Sequence, residues 1–482
     1  MIIFIIKNWF LIIIYWIFII FISIRIILYN HDVSSTIAWI MIIHMLPIIG
    51  IIMYLLFGEI NISKIKINRG KKLLMPVYYW LNKFNNKYRK YLGNNSSKTA
   101  RSLFQLYKHQ HRVNEVKVKK IKLFTDSNDT IISIINDINL AKNNIDIIFY
   151  IWNTDGLIKK VIQALIIAAK RGVNCRIILD SVGSLKFFRS DYHKKLRTAG
   201  ITIVEAFKIS ILHIFINRID IRQHKKVIII DNNITYTGSM NMIDPNYYKS
   251  NLGKLVDIMV RMEGCIANIM SIIFSCEWKI ETNELILPSF PKKISDILYN
   301  SAIVQVISSN LILSKNIINQ VLVTSIYAAR KKLVITTPYL IPSNDLLKAI
   351  CNAANRGVKV DIIIPIKSDS ILVNWASRVF FTELLDAGVK INQFKGGFLH
   401  TKSIIIDNNI SIVGTVNLDI RSLKLNSELI LIIDDNKFNK QLLKIQKTYI
   451  TNSFLIKTSE WINRPFWKRI IEKLFYLFSP LL

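Results

Sequence analysis

Cysteine is scarce in this chain: Cys175, Cys265, Cys276 and Cys351 are the four among 482 residues. None stands in a CxxC pair or at metal-ligand spacing, so they read as buried thiols of a reducing compartment and not as a zinc site. Acidic side chains are also few, 32 Asp and Glu against 64 Lys and Arg, for a formal net charge of +32. Such an imbalance points to polyanionic partners, either nucleic acid or an anionic lipid surface. The chain is also saturated with Ile, Lys and Asn, which a coding bias produces, so charge alone does not choose between them. A cleavable leader is not expected either. The first apolar run is preceded by no basic residue except Lys7 and followed by no small-residue cleavage site.

What is present is length for more than one domain and a 51% hydrophobic composition. With a positive mean hydropathy, this favours membrane contact over a purely soluble enzyme. Trp9 to Leu28 is apolar except for Arg25, and Thr36 to Phe57 is a second such run after the polar stretch 30–35. Each matches the ~20 residues a helix needs to cross a bilayer, so two transmembrane helices are expected over 1–60. Lys64, Lys66, Arg69, Lys71 and Lys72 follow the second run, whereas the loop between the runs carries Asp32. The positive-inside rule then puts the carboxy-terminal bulk in the cytoplasm. Residues 61–115, basic with interleaved aromatics, read as a juxtamembrane connector.

The rest of the chain contains a duplication. His224-Lys225-Lys226-Val227-Ile228-Ile229-Ile230-Asp231 returns as His400-Thr401-Lys402-Ser403-Ile404-Ile405-Ile406-Asp407. At the same offset, Gly238-Ser239-Met240-Asn241 returns as Gly414-Thr415-Val416-Asn417. Helix and strand patterns alternate around each copy: Ile131 to Lys142 helical, Ile145 to Trp152 a buried strand, Leu157 to Lys170 helical, Arg176 to Asp180 a strand. Arg171-Gly172-Val173 is matched by Arg356-Gly357-Val358, and the strand at Leu333 to Tyr339 occupies the place of the one at Ile145. The expected fold is α/β with a parallel-rich sheet in each of two homologous domains, 116–290 and 291–482, meeting on a pseudo-twofold axis. Two copies of this length are too few and too long for a solenoid.

In each signature the apolar run is a strand, and alternation puts His224 with Lys226, and His400 with Lys402, on one face. An imidazole beside a fixed ammonium suits attack at phosphorus, the ammonium neutralising oxygen charge as the ring nitrogen approaches. Asp231 and Asp407 complete the catalytic block with opposite parity, before Asn-Asn turns, in a supporting role at the strand end. Ser239, Asn241, Thr415 and Asn417 follow a glycine turn and offer uncharged donors for substrate phosphate oxygens. Two histidines can divide the work of nucleophile and general acid. Each also needs an acceptor to set its tautomer, for which Asp257 and Glu428 are the candidates. A lone His-x-Lys pair is most often an ordinary surface histidine; the duplicated, extended block is what reverses that. His109, His111, His193 and His213 lack this context and read as exposed or structural.

With both copies of H-x-K-x4-D in place, the chain resembles the phospholipase D superfamily from Val116 onward, and within it the bacterial cardiolipin synthase subfamily. Tyr150-Ile151-Trp152, Asp180-Ser181-Val182-Gly183-Ser184, Pro338-Tyr339 and Asn417-Leu418-Asp419-Ile420-Arg421-Ser422 add to the likeness, as do the two apolar runs and the ending 479–482. The resemblance implies two phospholipase D-like domains and a reversible phosphatidyl transfer. One phosphatidylglycerol would give its phosphatidyl group to a histidine, releasing glycerol, and a second would collect it to form cardiolipin. It implies a phosphohistidine intermediate, no metal or other cofactor, phosphatidylglycerol and membrane lipid as partners, and no nucleic acid. By the family pattern His224 is the nucleophile and His400 the acid; the sequence alone leaves these roles open. It also leaves the residue between His and Lys open, so Lys225 against Thr401 reads as a neutral difference. Within the fold, a hydrolytic phospholipase D or a phosphatidylserine synthase differs only in the acceptor. A nuclease fits the signature and the charge but not the apolar runs, and a membrane scaffold with a vestigial site is the non-enzymatic alternative. Neither oligomeric state nor acyl-chain preference is legible.

Overall fold

The first apolar run folds as a helix, Ile2–Leu28, while the second breaks. The computed structural model describes residues 2–29, 33–60, 62–93, 96–208, 218, 220–247, 252–290, 301–314 and 316–477, with backbone alone at 2–8, 10–12, 34 and 247. His213 and the ending 479–482 therefore lie outside the described residues. The chain divides into two units, one from the described parts of Met1–Ile65 and Ile209–Ile221, the other from those of Lys66–Lys208 and Arg222–Leu482.

In the first unit, the expected span from Thr36 to Phe57 is instead a helix Val33–Met45 and a helix Pro47–Met53, with Leu46 at φ −133° and ψ 69° between them. Proline lacks an N–H and disfavours helical backbone in the residue before it, so the break falls at Leu46. Among the described residues no helix is long and apolar enough to cross a membrane. The expected pair of transmembrane helices is thus not displayed by these residues. Arg25 is paired, its Nε and Nη2 donating to the Glu59 carboxylate at 2.6 and 2.7 Å while the Tyr54 hydroxyl donates at 2.8 Å. The His44 ring lies 6.5 Å from that of Trp16, with Nδ1 2.8 Å from the Ile40 carbonyl.

The second unit holds two sheets built on one plan. Among the described residues the first has seven strands, ordered Lys120–Phe124, Met259–Glu263, Ile234–Gly238, Val227–Ile230, Asn144–Phe149, Asn174–Asp180 and Thr202–Ala206. The second repeats that order with Ile303–Ser308, Leu429–Asp434, Ile410–Gly414, Ser403–Ile406, Lys332–Thr336, Lys359–Pro365 and Lys390–Phe394, adding Val116–Lys117 and Ser453–Leu455 at its edges. The helices expected near Ile131 and Leu157 run Ser127–Leu140 and Ile158–Lys170. Asp126 caps the first, its carboxylate accepting the N–H groups of Asn128 and Asp129.

The parallel-rich expectation needs correction. Only the last three strands of each order are parallel to one another; the signature strand pairs antiparallel on both sides. For the pairing with the strand that follows, the cause is the three-residue turn between them. Asp231 and Asn232 at φ +53° and +50°, and Asp407 at φ +52°, reverse the chain at once, and a hairpin can only be antiparallel. Helix Ile266–Thr282, buried nearly all round, contacts strands of both sheets, as does helix Asn436–Thr451. The core is therefore shared by the two halves. Residues 61–115 are more than a connector. Helix Leu74–Lys87 buries Trp80 and Phe84, with Trp80 stacked on Phe290 at 5.2 Å and donating to the Pro288 carbonyl at 2.9 Å.

Each signature aspartate ties its turn to a neighbouring strand. Asp231 accepts the backbone N–H groups of Lys142, Asn143 and Asn144 at 2.9, 2.7 and 3.0 Å, and Asp407 those of Arg330, Lys331 and Lys332. Asp231→Ala should lower stability by about 1–3 kcal/mol, because three amides lose their acceptor. Thermal unfolding checks this, and an unchanged midpoint would refute it.

Candidate active site

The two signature strands begin where the halves meet, and a short backbone zipper fixes each start. Leu255–Val256 pairs in parallel with Phe398–Leu399, so the His400 N–H donates to the Val256 carbonyl at 2.9 Å. The other half repeats this with Gln223 bridged to Ser427, the His224 N–H donating to the Ser427 carbonyl at 2.9 Å. The residue after each zipper is an acid, and that acid reaches the histidine of the opposite half. Glu428 lies 2.8 and 2.9 Å from His224 Nδ1, and Asp257 lies 3.0 Å from His400 Nδ1 through either oxygen. Both candidate orienting residues thus act across the interface. With Nδ1–H held by a carboxylate, Nε2 is the nitrogen available for chemistry.

His224 and His400 line one cavity of about 440 Å³, together with Asn241, Asn417, Tyr150 and Tyr339. The Asn241 side-chain carbonyl accepts the Ile151 N–H at 3.4 Å, and Asn417 Oδ1 is buried with no partner among the described residues. Ser239 and Thr415, expected to bind substrate, are fully buried behind the cavity. Thr415 Oγ1 donates to Glu428 and accepts the Leu429 N–H at 2.9 Å, while Ser239 Oγ accepts the Ile258 N–H at 3.0 Å. They hold the acids that hold the histidines. Asp231 and Asp407 stand at the far ends of their strands, seven residues from each histidine, roughly 20 Å of extended chain. They keep the strand in place and reach nothing in the cavity.

Burial governs the electrostatics. Lys226 Nζ donates to the His224 carbonyl at 2.7 Å and Lys402 Nζ to the His400 carbonyl at 2.6 Å. Desolvation pulls Lys226 down to about 7 and Lys402 to about 8, against the upward pull of Glu428 and Asp257. His224 falls well below its usual value through burial and then the ammoniums of Lys226 and Lys402. His400 is also lowered by burial, but Asp257 pulls it back up. Glu428 is pushed up to about 7 by burial, whereas His400 and Lys402 overcome the desolvation of Asp257 and hold it below the usual range. The two halves are alike in layout and unlike in charge.

Several residues were given no site role by the sequence reading. Tyr150 packs edge-on to His224 at 5.0 Å, and Tyr339 donates to Asp369 at 2.6 Å. Gly183 is required beside Tyr150, since a Cβ there would meet the Tyr150 carbonyl at 2.4 Å. Arg222 and Arg421 also line the cavity. Lys225, taken as a neutral position, is fully buried and bonds Glu277 at 2.7 Å, the Ser309 carbonyl at 3.0 Å and the Ser427 hydroxyl. Burial alone would raise Glu277; Lys225, Asn310 and Gln223 hold it below the usual range. Glu277, an acid directly after the apolar stretch of its helix, was the available signal. Thr401, the counterpart of Lys225, bonds the Val256 carbonyl at 3.2 Å. Of the other histidines, His111 packs on Tyr107 at 4.7 Å and His193 on Phe188 at 5.4 Å. Among the described residues no group of His, Cys, Asp and Glu is placed to hold a metal ion.

A duplicated α/β fold that brings one histidine from each half to a single cavity, each followed two residues on by a buried lysine, defines a phospholipase D-type enzyme. A family model described as "Cardiolipin synthase, PLD-like domain" matches residues 134–259 and 322–449, and one described as "Phospholipase_D-nuclease N-terminal" matches 10–59. Cardiolipin synthase A of Wigglesworthia glossinidia brevipalpis is 51% identical over all of this chain and 98% of its own. That of Pectobacterium carotovorum subsp. carotovorum (strain PC1) is 47% identical over 98% of both. The chain belongs to the cardiolipin synthase family of the phospholipase D superfamily, and is a phosphatidyltransferase by that membership. Phosphatidylserine synthase of Haemophilus influenzae Rd KW20 shares the fold, with a TM-score of 0.59 at 14% identity over 80% of this chain and 98% of that one.

Lys225→Met should destabilise the protein by about 3–5 kcal/mol by stranding a buried Glu277. The double variant K225M/E277L should recover most of that. Denaturant unfolding of the three proteins decides it; a single variant as stable as the parent would show that the pair carries no weight.

Proposed function

We propose that this enzyme forms cardiolipin and glycerol from two molecules of phosphatidylglycerol by reversible phosphatidyl transfer through a histidine. The observation that carries the reading is the pair of imidazoles from opposite halves on one cavity, each with Nδ1 held by a carboxylate. His224 Nε2 attacks phosphorus and the bond to the glycerol oxygen breaks, His400 Nε2–H supplying the proton to the leaving alkoxide. The hydroxyl of a second phosphatidylglycerol then gives its proton to His400 and attacks the same phosphorus, freeing His224. Lys226 and Lys402 neutralise the non-bridging oxygens, and the amides of Asn241 and Asn417 donate to them without adding charge.

The charge asymmetry supports this division of roles. His224 is the ring more strongly held neutral, as a nucleophile must be, and His400 faces the more firmly ionised carboxylate, which favours the protonated form. A phosphodiester in the cavity adds to the counter-charge that Glu428 and Asp257 already give the two buried lysines. The two apolar runs anchor the enzyme in the inner membrane, multi-pass, with the catalytic unit on the cytoplasmic face that their flanking charges favour. A lipid substrate in both steps gives that anchoring its purpose, and no role for nucleic acid follows.

Expression in a host lacking cardiolipin, followed by thin-layer analysis of its lipids, tests the reading. Cardiolipin is the expected product; phosphatidic acid or phosphatidylserine alone would assign the site to a different acceptor. With labelled phosphatidylglycerol, the wild type should carry covalent label on the His224 peptide and His224→Ala none. His400→Ala should slow turnover by about 10²–10⁴, and label on the His400 peptide would reverse the roles. kcat/KM should be bell-shaped in pH. Its acid limb falls well below 6.5, where His224 gains a proton; its alkaline side begins as His400, also lowered by burial, loses the proton it must give, and steepens near 7 to 8, where Lys226 and Lys402 lose theirs. A flat profile between pH 5 and 9 would contradict these assignments.

A further inference from the structure

The C-terminal helix Phe466–Tyr476 has two faces that both ask for apolar surroundings. Its inner face packs on the catalytic unit: Phe475 stacks near Trp375 at 6.3 Å, Tyr476 meets Phe380 at 5.5 Å, and Glu472 is 1% exposed. Its outer face should then be polar, yet it carries Phe466, Trp467, Ile470 and Leu474 at 45–74% exposure. Arg469 and Lys473 are the cations interspersed on that face. An exposed apolar strip edged with basic residues fits the headgroup boundary of an anionic bilayer. A second copy of this chain is a poor occupant, because each copy brings a net charge of +32.

Beside this strip lies a cavity of about 670 Å³, distinct from the catalytic one. Arg378, Lys457, Arg464 and Lys468 line it, with Glu460 the acid among its lining residues and Phe454 and Leu455 exposed on its wall. The cations are held by design of the fold. Glu472 accepts Arg378 Nε at 2.9 Å and Arg464 Nε at 3.1 Å, and the two guanidiniums flank the Trp461 ring at 5.0 and 4.1 Å. Arg464 spends its terminal nitrogens on the Trp461 carbonyl and the Thr382 hydroxyl. Those of Arg378 have no hydrogen-bond partner among the described residues, so a planar fork is left for an anion.

We propose that this cavity binds the phosphate headgroup of an anionic phospholipid in the bilayer, with acyl chains running along Phe454, Leu455 and Trp467. It is a lipid site outside the catalytic cavity, and it orients that cavity. The C-terminal helix packs on helix Ile371–Ser377, whose cap Ser370 and residue Val373 line the active site. Docking the strip on a membrane therefore holds the catalytic mouth in fixed relation to the lipid surface. The inference rests on a lipid substrate only for its purpose, not for its geometry.

The test uses the full chain carrying His224→Ala, so that no turnover occurs, in nanodiscs of phosphatidylcholine with or without phosphatidylglycerol. Amide exchange over 453–477 is expected to slow when phosphatidylglycerol is present, and not when inorganic phosphate is added to phosphatidylcholine discs. Lys468→Gln, which removes a half-buried cation 5.5 Å from the Trp467 ring while keeping most of its stem, should weaken the lipid dependence about fivefold, and Trp467→Asp should abolish the slowing. Equal exchange in both discs, the same slowing by inorganic phosphate alone, or full slowing in both variants would overturn the proposal. Slowed exchange in a chain whose wild type forms no cardiolipin would leave this site standing and sink the catalytic reading instead.

Discussion

Everything at the catalytic cavity depends on a crossed pairing: each histidine is oriented by an acid from the other half. Neither half holds a complete site. His224 needs Glu428, His400 needs Asp257, and the backbone zippers at Gln223–Ser427 and Leu255–Phe398 set the register that brings them together. A slip of one residue would turn the imidazole to the opposite face of its strand. The fused pair of domains is thus a requirement of the chemistry as much as of the core.

The same interface explains why the site is so heavily desolvated. Four signature side chains and two acids are brought to a seam between two cores, where burial shifts every one of them and the pairings decide by how much. Lys225 shows the cost of this arrangement. It points away from the cavity into the seam, where Glu277, Ser309 and Ser427 surround it, and an uncompensated charge there would be expensive. Thr401 fills the matching place without charge, so the duplication is one of backbone and catalytic groups, while the seam is packed differently on its two sides.

Much of this was legible in the chain. The fixed-offset repeat located both histidines, both lysines and both asparagines, and alternation along the apolar strand put each histidine and lysine on one face. The aspartates were legible as strand-end supports because of their parity and the asparagines after them. Strand pairing was not. Helix–strand alternation suggested parallel neighbours, but the tight Asp-Asn-Asn turns force each signature strand antiparallel to the strand that follows it, which depends on a positive φ that a residue pattern only hints at. Ser239 and Thr415 looked like substrate ligands because a hydroxyl beside a glycine turn has no visible partner in one dimension. Their partners are Ile258, Leu429 and Glu428, met only on folding.

The sequence by itself determined the inventory: which residues recur at one offset, that they come twice, and that two apolar runs precede them. Those follow from local spacing, which a linear pattern records. Tertiary structure alone decided that the acids are exchanged between halves, that Lys225 is buried, that the second apolar run breaks at Leu46, and that the two imidazoles meet different charged neighbours. Each of these depends on distances through space between residues far apart in the chain, or on how deeply a charge is removed from water, and neither is written in residue order.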